Sequence, residues 1–392
     1  MKKVRLGQMI EVQRGYDLPK NKTIPGPYPV VTSTSISAYH REYKAEDTIV
    51  IGRSGTVGNP RVVRGKFWPL NTTLFATDLK ENDMDYMCYL LSNLHLEKLV
   101  TGSTVPTLNR NDIYLLEIPV ETDVSKQKKI GALLKTIDSK VYNNEAITQQ
   151  LESMAKTIYD YWFLQFEFPN EEGNPYKSSG GKMVWNEELQ REIPAGWEVA
   201  SLANNSLTKL IKPGIKEFNG TKRYLATADV NGTAYSIGSN ITFDNRESRA
   251  NMQPTLNSIW FAKMKDSVKH LYLNKELNSI IKETILSTGF CGIQCDEYSF
   301  EYLASFIESD YFEKVKDQLA HGATQQAVNN ADLQSIKLVI PSEEIVDKFH
   351  QVTKGMFSLI SKNKVENTYL IALRDFLLPL LMNGQVTINK GR

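Results

Sequence analysis

The sequence lacks the motifs that mark the common catalytic sites. The Gly-Lys pairs at 65–66 and 181–182 are followed by Phe67 and Met183, so neither completes a GxxxxGK[ST] phosphate loop. There is no GxGxxG, HExxH or GxSxG motif, and no Pro-Pro dipeptide of the kind found in the loop used for adenine-amino methylation. These absences argue against a self-sufficient enzyme and against a nucleotide or redox cofactor held by this chain.

Cysteine is also scarce. The three cysteines, Cys88, Cys291 and Cys295, cannot form a complete disulfide framework. The pair at 291 and 295 lacks two further ligands at zinc-site spacing, because His270 and His321 each stand alone. We therefore expect buried structural cysteines and no metal site. The amino terminus has no apolar run of the signal-peptide type, and no stretch approaches the ~20 apolar residues of a membrane span, so we expect a cytoplasmic protein.

Neither sign of charge dominates. Lys and Arg number 46 against 45 Asp and Glu, which leaves +1, so a basic surface must be local. A hydrophobic fraction of 41% and a charged fraction of 23% are typical of globular proteins. The 392 residues suit two domains of ~150 residues plus connecting structure.

What the sequence does contain is a heptad pattern, and it occurs twice. Each stretch is about forty residues long, which as a helix at ~1.5 Å per residue gives a rod of roughly 60 Å. Each seam needs a partner, and the other stretch can supply it. The first line of the seam comprises Ile130, Ile137, Asn144, Leu151 and Ile158 in one stretch and Phe349, Met356, Asn363, Leu370 and Leu377 in the other. The adjoining line, three residues later, comprises Leu133, Ile147, Met154 and Tyr161, and Val352, Leu359, Leu373 and Leu380.

Asn144 and Asn363 interrupt the two seams at matching positions. A single Asn inside a seam commonly fixes the pairing register at some cost in stability. The alternative is an exposed Asn in an imperfect seam. We favour the register role because both stretches carry the residue.

The repeat extends beyond the helices. Asp112 matches Asp332, and the Ile-Pro pair at 118–119 matches that at 340–341, with offsets of 219 to 222 residues throughout. A duplicated unit is the simplest explanation. The globular parts differ more, because the Arg-Ser-Gly run at 53–55 has no clear counterpart near residue 265. Two halves that share a scaffold but differ in their globular parts suggest that each half recognises a different target.

We predict the order globule, rod, globule, rod. The domain boundaries are 1–125 for the first globule, 126–168 for the first long helix, 169–194 for a polar linker, 195–342 for the second globule, 343–383 for the second long helix and 384–392 for a tail. Within the globules, β-branched runs predict strands at 28–32, 48–52, 72–76, 237–243 and 258–262, and apolar periodicity predicts helices at 83–99 and 300–319. Prolines, glycines and serines in 169–194 indicate a connection rather than a packed element.

The best support for nucleic-acid binding comes from the segment 48–77, which contains no acidic residue. Its basic, amide and hydroxyl side chains could contact phosphates and base edges. Its candidate DNA-binding residues are Arg53, Ser54, Arg61, Arg64, Lys66, Asn71, Thr72 and Thr73. The loop at 101–110 could form a phosphate nest with Ser103, Thr104, Asn109 and Arg110. A turn-rich sheet edge and a tight connection are the alternatives, and composition does not decide between them.

Basic residues also cluster in the second globule, where most will be solvated surface charges. The candidates are Lys212, Lys216, Arg223, Arg246, Lys263 and Lys265, together with Thr324, Gln325 and Gln326, because glutamine suits bidentate contact with adenine.

Four stretches resemble the specificity subunits of Type I restriction-modification systems. They are IVIGRSGTVGNPRVVRGKFWPLNTTLFA (49–76), TGSTVPTLNRNDIYLLEIPV (101–120), QKKIGALLKTIDSKVYNNEAITQQLESMAKTIYDYWF (127–163) and NPYKSSGGKMVWNEELQREIPAGWEV (174–199). The last is similar to the joining region of that family, and the resemblance covers nearly the whole chain. The second globule departs most from it.

The resemblance implies an α+β fold in which two mixed α/β target-recognition domains are separated by two long antiparallel coiled-coil helices, as a pseudo-twofold internal repeat. Each domain would read one half of a bipartite, asymmetric double-stranded DNA site, and the helices would set the gap between the halves. Modification (methyltransferase) subunits would dock on the helices and motor-nuclease restriction subunits would join them. The chain itself would be non-catalytic, with S-adenosylmethionine, ATP and Mg²⁺ on those partners.

Two other hypotheses remain. The chain could be a coiled-coil adaptor whose globules bind proteins and never DNA, although the acid-free segment 48–77 argues against it. It could also be a complete methyltransferase or nuclease, which the missing motifs disfavour.

Overall fold

Buried β-branched and aromatic runs form the centre of each globular part. In the computed structural model, which describes residues 1–100, 106–322 and 326–388, the strand Ala45–Gly52 is buried from Thr48 onward and the strand Ser258–Ala262 is buried throughout. Strands that are apolar on both faces are typical of the middle of a covered sheet. Each of these two strands lies inside its sheet, with a hydrogen-bonded strand on each side.

The chain divides into two compact units. The first unit comprises Met1–Val141 and Leu370–Arg392, and the second comprises Tyr142–Tyr369. Each unit thus contains one mixed globular part and a portion of both long helices. The domain boundaries expected from the sequence remain predictions.

The first unit contains a six-stranded sheet in the order β2-β7-β5-β6-β3-β4, with β3 and β6 parallel and the other neighbours antiparallel. A separate pair, β1 and β8, is antiparallel. The strands are β1 Lys2–Arg5, β2 Glu11–Arg14, β3 Tyr28–Val31, β4 Ile36–His40, β5 Ala45–Gly52, β6 Pro60–Pro69, β7 Thr73–Asp78 and β8 Glu117–Val120; the helices are α1 Met84–Asn93 and α2 Arg110–Leu115, followed by the long helix α3 Val124–Tyr159 and a π-helical turn at Asp160–Leu164.

The second unit repeats the central part of that arrangement. Its sheet β12-β21-β18-β19 is antiparallel, a second sheet has the order β16-β13-β20-β17, and β11 pairs with β22 as β1 pairs with β8. The strands are β9 Met183–Asn186, β10 Arg191–Pro194, β11 Glu198–Ser201, β12 Lys209–Ile211, β13 Lys222–Leu225, β14 Val230–Asn231, β15 Ala234–Tyr235, β16 Ser239–Ile241, β17 Ala250–Met252, β18 Ser258–Ala262, β19 His270–Leu273, β20 Thr284–Ser287, β21 Phe290–Gln294 and β22 Lys337–Ile340; the helices are α4 Asn278–Glu283, α5 Phe300–Ile307, α6 Asp310–Leu319 and α7 Glu343–Met382.

The predicted fold class is confirmed: the fold is α+β, with mixed α/β parts and two long helices. Within each unit the helices run antiparallel. In the second unit Asn144 donates to Asn367 Oδ1 at 2.8 Å, and Lys364 contacts Glu152 at 2.9 Å. In the first unit, Arg374 Nη1 donates to Asp138 Oδ1 at 2.9 Å.

The seam differs from its prediction in the second line. That line lies four residues after the first one, not three, and it is partly polar. The residues three positions on, Leu133, Ile147, Met154, Tyr161, Val352, Leu359 and Leu373, are exposed, whereas Leu134, Val141, Thr148, Ala155, Thr353, Ile360 and Leu381 are buried. In the first line, Ile130, Ile137, Asn144, Phe349 and Asn363 are buried, and Leu151, Ile158, Met356, Leu370 and Leu377 are half-buried.

The seam asparagines are buried, which excludes the alternative of exposed residues. Asn144 is 1% exposed and donates to both Glu366 and Asn367. Asn363 is 6% exposed, and its amide lies 3.4 Å from the Thr148 hydroxyl. Since buried amides without partners would be costly, this arrangement supports the register role.

Two predicted helices are shorter than expected. The helix at 83–99 ends at Asn93, because His95 takes a left-handed conformation (φ 50°) before a separate 3₁₀ turn. The helix at 300–319 is broken into α5 and α6 at Ser309, whose hydroxyl caps α6 by accepting from Phe312 N.

The segment 169–194 was wrongly predicted to be an unpacked polar connection. It contains the antiparallel hairpin of β9 and β10, and Ile193 is 1% exposed in the core of the second unit. Tyr176 stacks on Phe168 at 4.5 Å, and Phe168 stacks on Trp197 at 4.9 Å. No helix among the described residues is long and apolar enough to cross a membrane.

The revised seam predicts opposite outcomes for two adjacent leucines. Leu134→Ala should lower the free energy of unfolding by about 2–5 kcal/mol, because this side chain is fully buried in the core of the first unit. Leu133→Ala, at a side chain that is 38% exposed, should cost less than about 1 kcal/mol. Denaturant unfolding of the two variants measures the difference, and equal costs would contradict the four-residue spacing.

Candidate nucleic-acid interface

Three arginines line one concave surface of the first unit. The cleft that it forms has a volume of about 640 Å³. We call this concave surface the arginine surface. Its lining comprises Gln13, Arg14, Gly15, Tyr16, Asp17, Arg53, Leu74, Thr107, Leu108, Asn109 and Arg110. The three arginines come from three parts of the chain: the end of β2, the turn after β5 and the start of α2.

The main chain fixes each arginine at this surface. Arg14 ends β2, where it is paired with Leu74 of β7. Arg53 directly follows β5; its amide donates to Thr72 O and its carbonyl accepts from Leu108 N, both at 2.9 Å. Arg110 is the first residue of α2.

Asn109 orients that helix start. Its side-chain oxygen accepts from Asn111 N at 3.0 Å, which is the usual way for an N-cap to satisfy a free amide. Among the described residues, one acid lines this surface: Asp17 accepts from Arg14 at 3.2 Å and also from Asn71. The surface is therefore cationic, with amide and phenol groups beside the charges.

The structure brings only part of the predicted first-unit set together. Arg53, Asn109 and Arg110 line the arginine surface, and Asn71 reaches it through Asp17. Ser54 forms a β-bridge with Thr107 at the edge of the surface. That these residues bind DNA remains a prediction.

Other candidates are engaged elsewhere. The Arg61 guanidinium donates to the carbonyls of Thr32 and Thr34, and burial lowers its pKa. Arg64 forms an ion pair with Asp85 at 2.9 Å, which neutralises its charge locally.

The last three candidates of the segment are one exposed lysine and two threonines with buried hydroxyls. Lys66 lies over the ring of Tyr43 at 4.7 Å. The Thr73 side chain is fully buried and donates to Leu70 O at 2.7 Å, so it is not available at the surface, and the Thr72 hydroxyl is buried as well.

The second unit places a lysine where the first has Arg53. Lys263 directly follows β18, as Arg53 follows β5, and its carbonyl accepts from Val328 N at 3.0 Å, as that of Arg53 accepts from Leu108 N. The Arg-Ser-Gly run at 53–55 has no sequence counterpart near residue 265, but the main chain gives Arg53 a structural counterpart in Lys263. The two cations stand 210 residues apart, whereas Leu108 and Val328 stand 220 apart, because the intervening loops differ in length.

A second equivalence follows from strand order. β12 lies beside β21 and β18 as β2 lies beside β7 and β5. Lys212, the residue after β12, then occupies the position of Arg14. Both lysines were predicted, whereas Gln13, Arg14 and Tyr16 were missed, because nothing in the local sequence distinguishes the end of β2.

The remaining second-unit candidates fall into two groups. Lys216, Lys265 and Gln326 are exposed, and Lys265 N donates to Gln326 O at 3.0 Å. Arg223 and Arg246 point back to their own unit: Arg223 lies 3.4 Å from Ile237 O, and Arg246 stacks on Phe243 at 3.8 Å. Ser103, Thr104, Thr324 and Gln325 lie outside the described residues.

The two cysteines that could have suggested zinc belong to the core. Cys291 is 3% exposed, and burial raises the pKa of its thiol to about 12. Cys295 donates to Asn257 O at 3.1 Å, and burial raises its pKa as well. Within residues 1–100, 106–322 and 326–388, no group of three or more His, Cys, Asp or Glu side chains is arranged to hold a metal ion.

Comparisons with known proteins agree with this architecture. Residues 1–153 match the model of the Type I restriction modification DNA specificity domain. The whole chain resembles the structure of the Type I restriction-modification S subunit from M. genitalium, with a TM-score of 0.62 over 100% of this chain and 96% of that one at 17% identity. The chain thus shares the fold of that S subunit.

Two curated relatives carry the same description. The chain is 25% identical over 375 residues to the Type I restriction enzyme MjaIX specificity subunit of Methanocaldococcus jannaschii, covering 88% of this chain and 78% of that protein. It is 22% identical over 365 residues to the HindI specificity subunit of Haemophilus influenzae, covering 76% of each. Over most of its length the chain is thus similar to Type I restriction enzyme specificity subunits.

Proposed function

We propose that this chain binds duplex DNA with both units and that each unit reads one half of a bipartite, asymmetric site. The observation that carries the proposal is the repeated main-chain frame, in which Arg14 and Arg53 of the first unit correspond to Lys212 and Lys263 of the second. Cations held at fixed positions suit phosphate contacts, which set position and orientation on a duplex.

Sequence reading would come from the side chains that differ around this frame. The arginine surface offers Gln13, Tyr16 and Asn109, and the second unit offers the exposed Gln326 beside Lys265. Amides at such positions can form paired hydrogen bonds with base edges. Since the two sets are unlike, the two half-sites should differ in sequence.

The chain would act without catalysing a reaction, as the non-catalytic component of its restriction-modification system. S-adenosylmethionine, ATP and Mg²⁺ would be held by the modification and restriction subunits. The exposed apolar residues of the long helices support docking of modification subunits there: Ile147 and Met154 lie seven residues apart on α3 and are 42% and 51% exposed. Regularly spaced apolar side chains on a paired helix are suited to receive a further helix.

The paired helices would also set the distance between the half-sites. A helix advances ~1.5 Å per residue and DNA ~3.4 Å per base pair, so helix length translates directly into base pairs. The buried hydrogen bonds of Asn144 and Asn363 support one fixed register.

Salt dependence tests the phosphate contacts. Arg53→Ala and Lys263→Ala should each reduce the slope of log K against log salt by about 1, because each removes roughly one phosphate contact. Arg64→Ala and Lys348→Ala are the matched controls, since these cations form ion pairs with Asp85 and Glu344, and they should leave the slope unchanged. If the chain shows no salt-dependent duplex binding, the protein-adaptor alternative is favoured. If it binds duplex but the slope depends on none of the four residues, the assigned phosphate contacts are wrong.

Lengthening both helices tests the spacing role. Duplicating 145–151 in α3 and 360–366 in α7 adds one heptad to each helix and keeps the seam in phase. The extension of about 10 Å should lengthen the gap of the recognised site by about three base pairs. Mapping methylated sites in cells with the complete system measures the gap, and an unchanged gap would refute the proposal.

Substitution of the exposed apolar line tests the docking role. Ile147→Asp together with Met154→Glu should weaken co-purification with the modification subunit at least about tenfold, because charges cannot be buried unpaired at an interface. Gln149→Glu, at an exposed polar position on a different side of the same helix, is the control and should have no effect. Full retention of the partner by the double variant would exclude this surface.

A further inference from the structure

The loop at 263–269, between β18 and β19, is held on two sides. On one side, Lys263 O and Lys265 N bond to the segment at 326–328. On the other, α6 contacts the middle of the loop: Lys316 Nζ donates to Ser267 O at 3.2 Å, and Asp317 Oδ1 accepts from Asp266 N at 3.1 Å. The position of the two lysines thus depends on α6 as well as on the sheet.

Lys316 is unusual because its side chain is completely buried. Such an ammonium group is stable only when it is paired, and Glu313 Oε2 lies 2.6 Å from it. Asp317, which is mostly buried, faces it at 3.5 Å.

Glu313 is shared with a histidine at the end of the loop. His270, the first residue of β19, is 1% exposed; its Nε2 lies 2.8 Å from Glu313 Oε1 and its Nδ1 lies 3.1 Å from Glu308 Oε2. A neutral imidazole has one N–H, so it would turn a lone pair toward one of these carboxylates. Only the imidazolium donates to both.

The surroundings of His270 support the charged form. Burial opposes its charge, but the hydrogen bonds to Glu308 and Glu313 outweigh this and raise the pKa of His270. The same contacts lower the pKa of both glutamates in spite of burial. Tyr272 on the same strand donates its hydroxyl to Glu308.

Two further charged groups face this cluster from the long helices. The positive charge of Lys364 on α7 contributes to lowering the pKa of Glu308, and the negative charge of Glu152 on α3 contributes to raising the pKa of Tyr272. They are paired with each other at 2.9 Å, so they offset one another. The ring of Phe312 closes the cluster from α6, 6.5 Å from the imidazole.

We propose that His270, Glu313 and Lys316 are positioning residues that hold the 263–269 loop for DNA contact, and that binding by the second unit therefore requires His270 to be protonated. The inference rests on the proposed function, because it assumes that Lys263 meets DNA. Loss of the proton leaves Glu308 and Glu313 with one cation between them, which weakens the hold of α6 on the loop.

The direction of the pH effect follows from the raised pKa. The proton is fully bound below the ordinary histidine value of about 6.5, and it is lost as the pH rises through the higher folded value. DNA affinity should therefore fall as the pH is raised through that higher value. The limit for one linked proton is about tenfold per pH unit.

The experiment uses the full chain bound to its modification subunits and a duplex containing the site identified by methylation mapping. His270→Gln keeps a neutral hydrogen-bonding group, so it should bind DNA more weakly than the wild type below pH ~6.5 and show no further loss as the pH is raised. His350→Gln is the matched control: His350 is also a buried histidine paired with a glutamate, Glu301 at 2.6 Å, and this variant should keep the wild-type profile.

Lys316→Met and Lys263→Ala separate the possible results. Lys316→Met should weaken discrimination at the half-site that Lys263→Ala affects and leave the other half-site unchanged, and the thermal midpoint shows whether the variant is folded. If Lys263→Ala has no effect, the DNA role of the loop fails. If Lys263→Ala weakens binding but His270→Gln keeps the wild-type pH profile, the positioning role is overturned.

Discussion

The pairing of the two long helices depends on polar groups buried in their seam. In the second unit Asn144 bonds to Asn367, and Asn363 lies against Thr148. Apolar seams tolerate sliding by a heptad, whereas buried amides lose their partners when the register shifts. The buried polar residues thus lower the stability of the helix pair but restrict it to a single alignment. A spacer between two DNA-reading parts would need a single alignment, because a shift by one heptad would displace one helix along the other by about 10 Å.

The same division between a fixed frame and variable side chains appears in the globular parts. The order β2-β7-β5 recurs as β12-β21-β18, and hydrogen bonds from a later segment hold the turn after the central strand in both units. The residues in that frame are Arg53 in one unit and Lys263 in the other. Main-chain bonds do not depend on side-chain identity, so the frame can persist while its surface changes. This explains how one duplicated scaffold could read two different half-sites.

Periodicity predicted the parts of the fold that are locally encoded, and it failed where polar partners or loop lengths decide. The long helices and the strand at 258–262 follow from heptad and β-branched runs. The second seam line was misassigned because Thr148 and Thr353 look like surface residues, while the exposed Leu133 looks like core. Lys263 escaped comparison with Arg53 because loops of unequal length shift the offset. The arginine surface joins three distant parts of the chain, which spacing along the sequence cannot reveal.

Because basic and acidic residues nearly balance, a cationic surface on this chain must be local. With 46 basic and 45 acidic residues, the chain has no general attraction for DNA, and its field must come from local separation of charge. Asp85 pairs with both Arg64 and Lys135, whereas Asp17 is the one acid among the described residues lining the surface that contains Arg14, Arg53 and Arg110. A weak overall field limits non-specific binding, so affinity depends on contacts made in the correct geometry. Under the proposed function, residues that fix this geometry, such as Lys316 beneath its loop, would contribute to specificity without touching DNA.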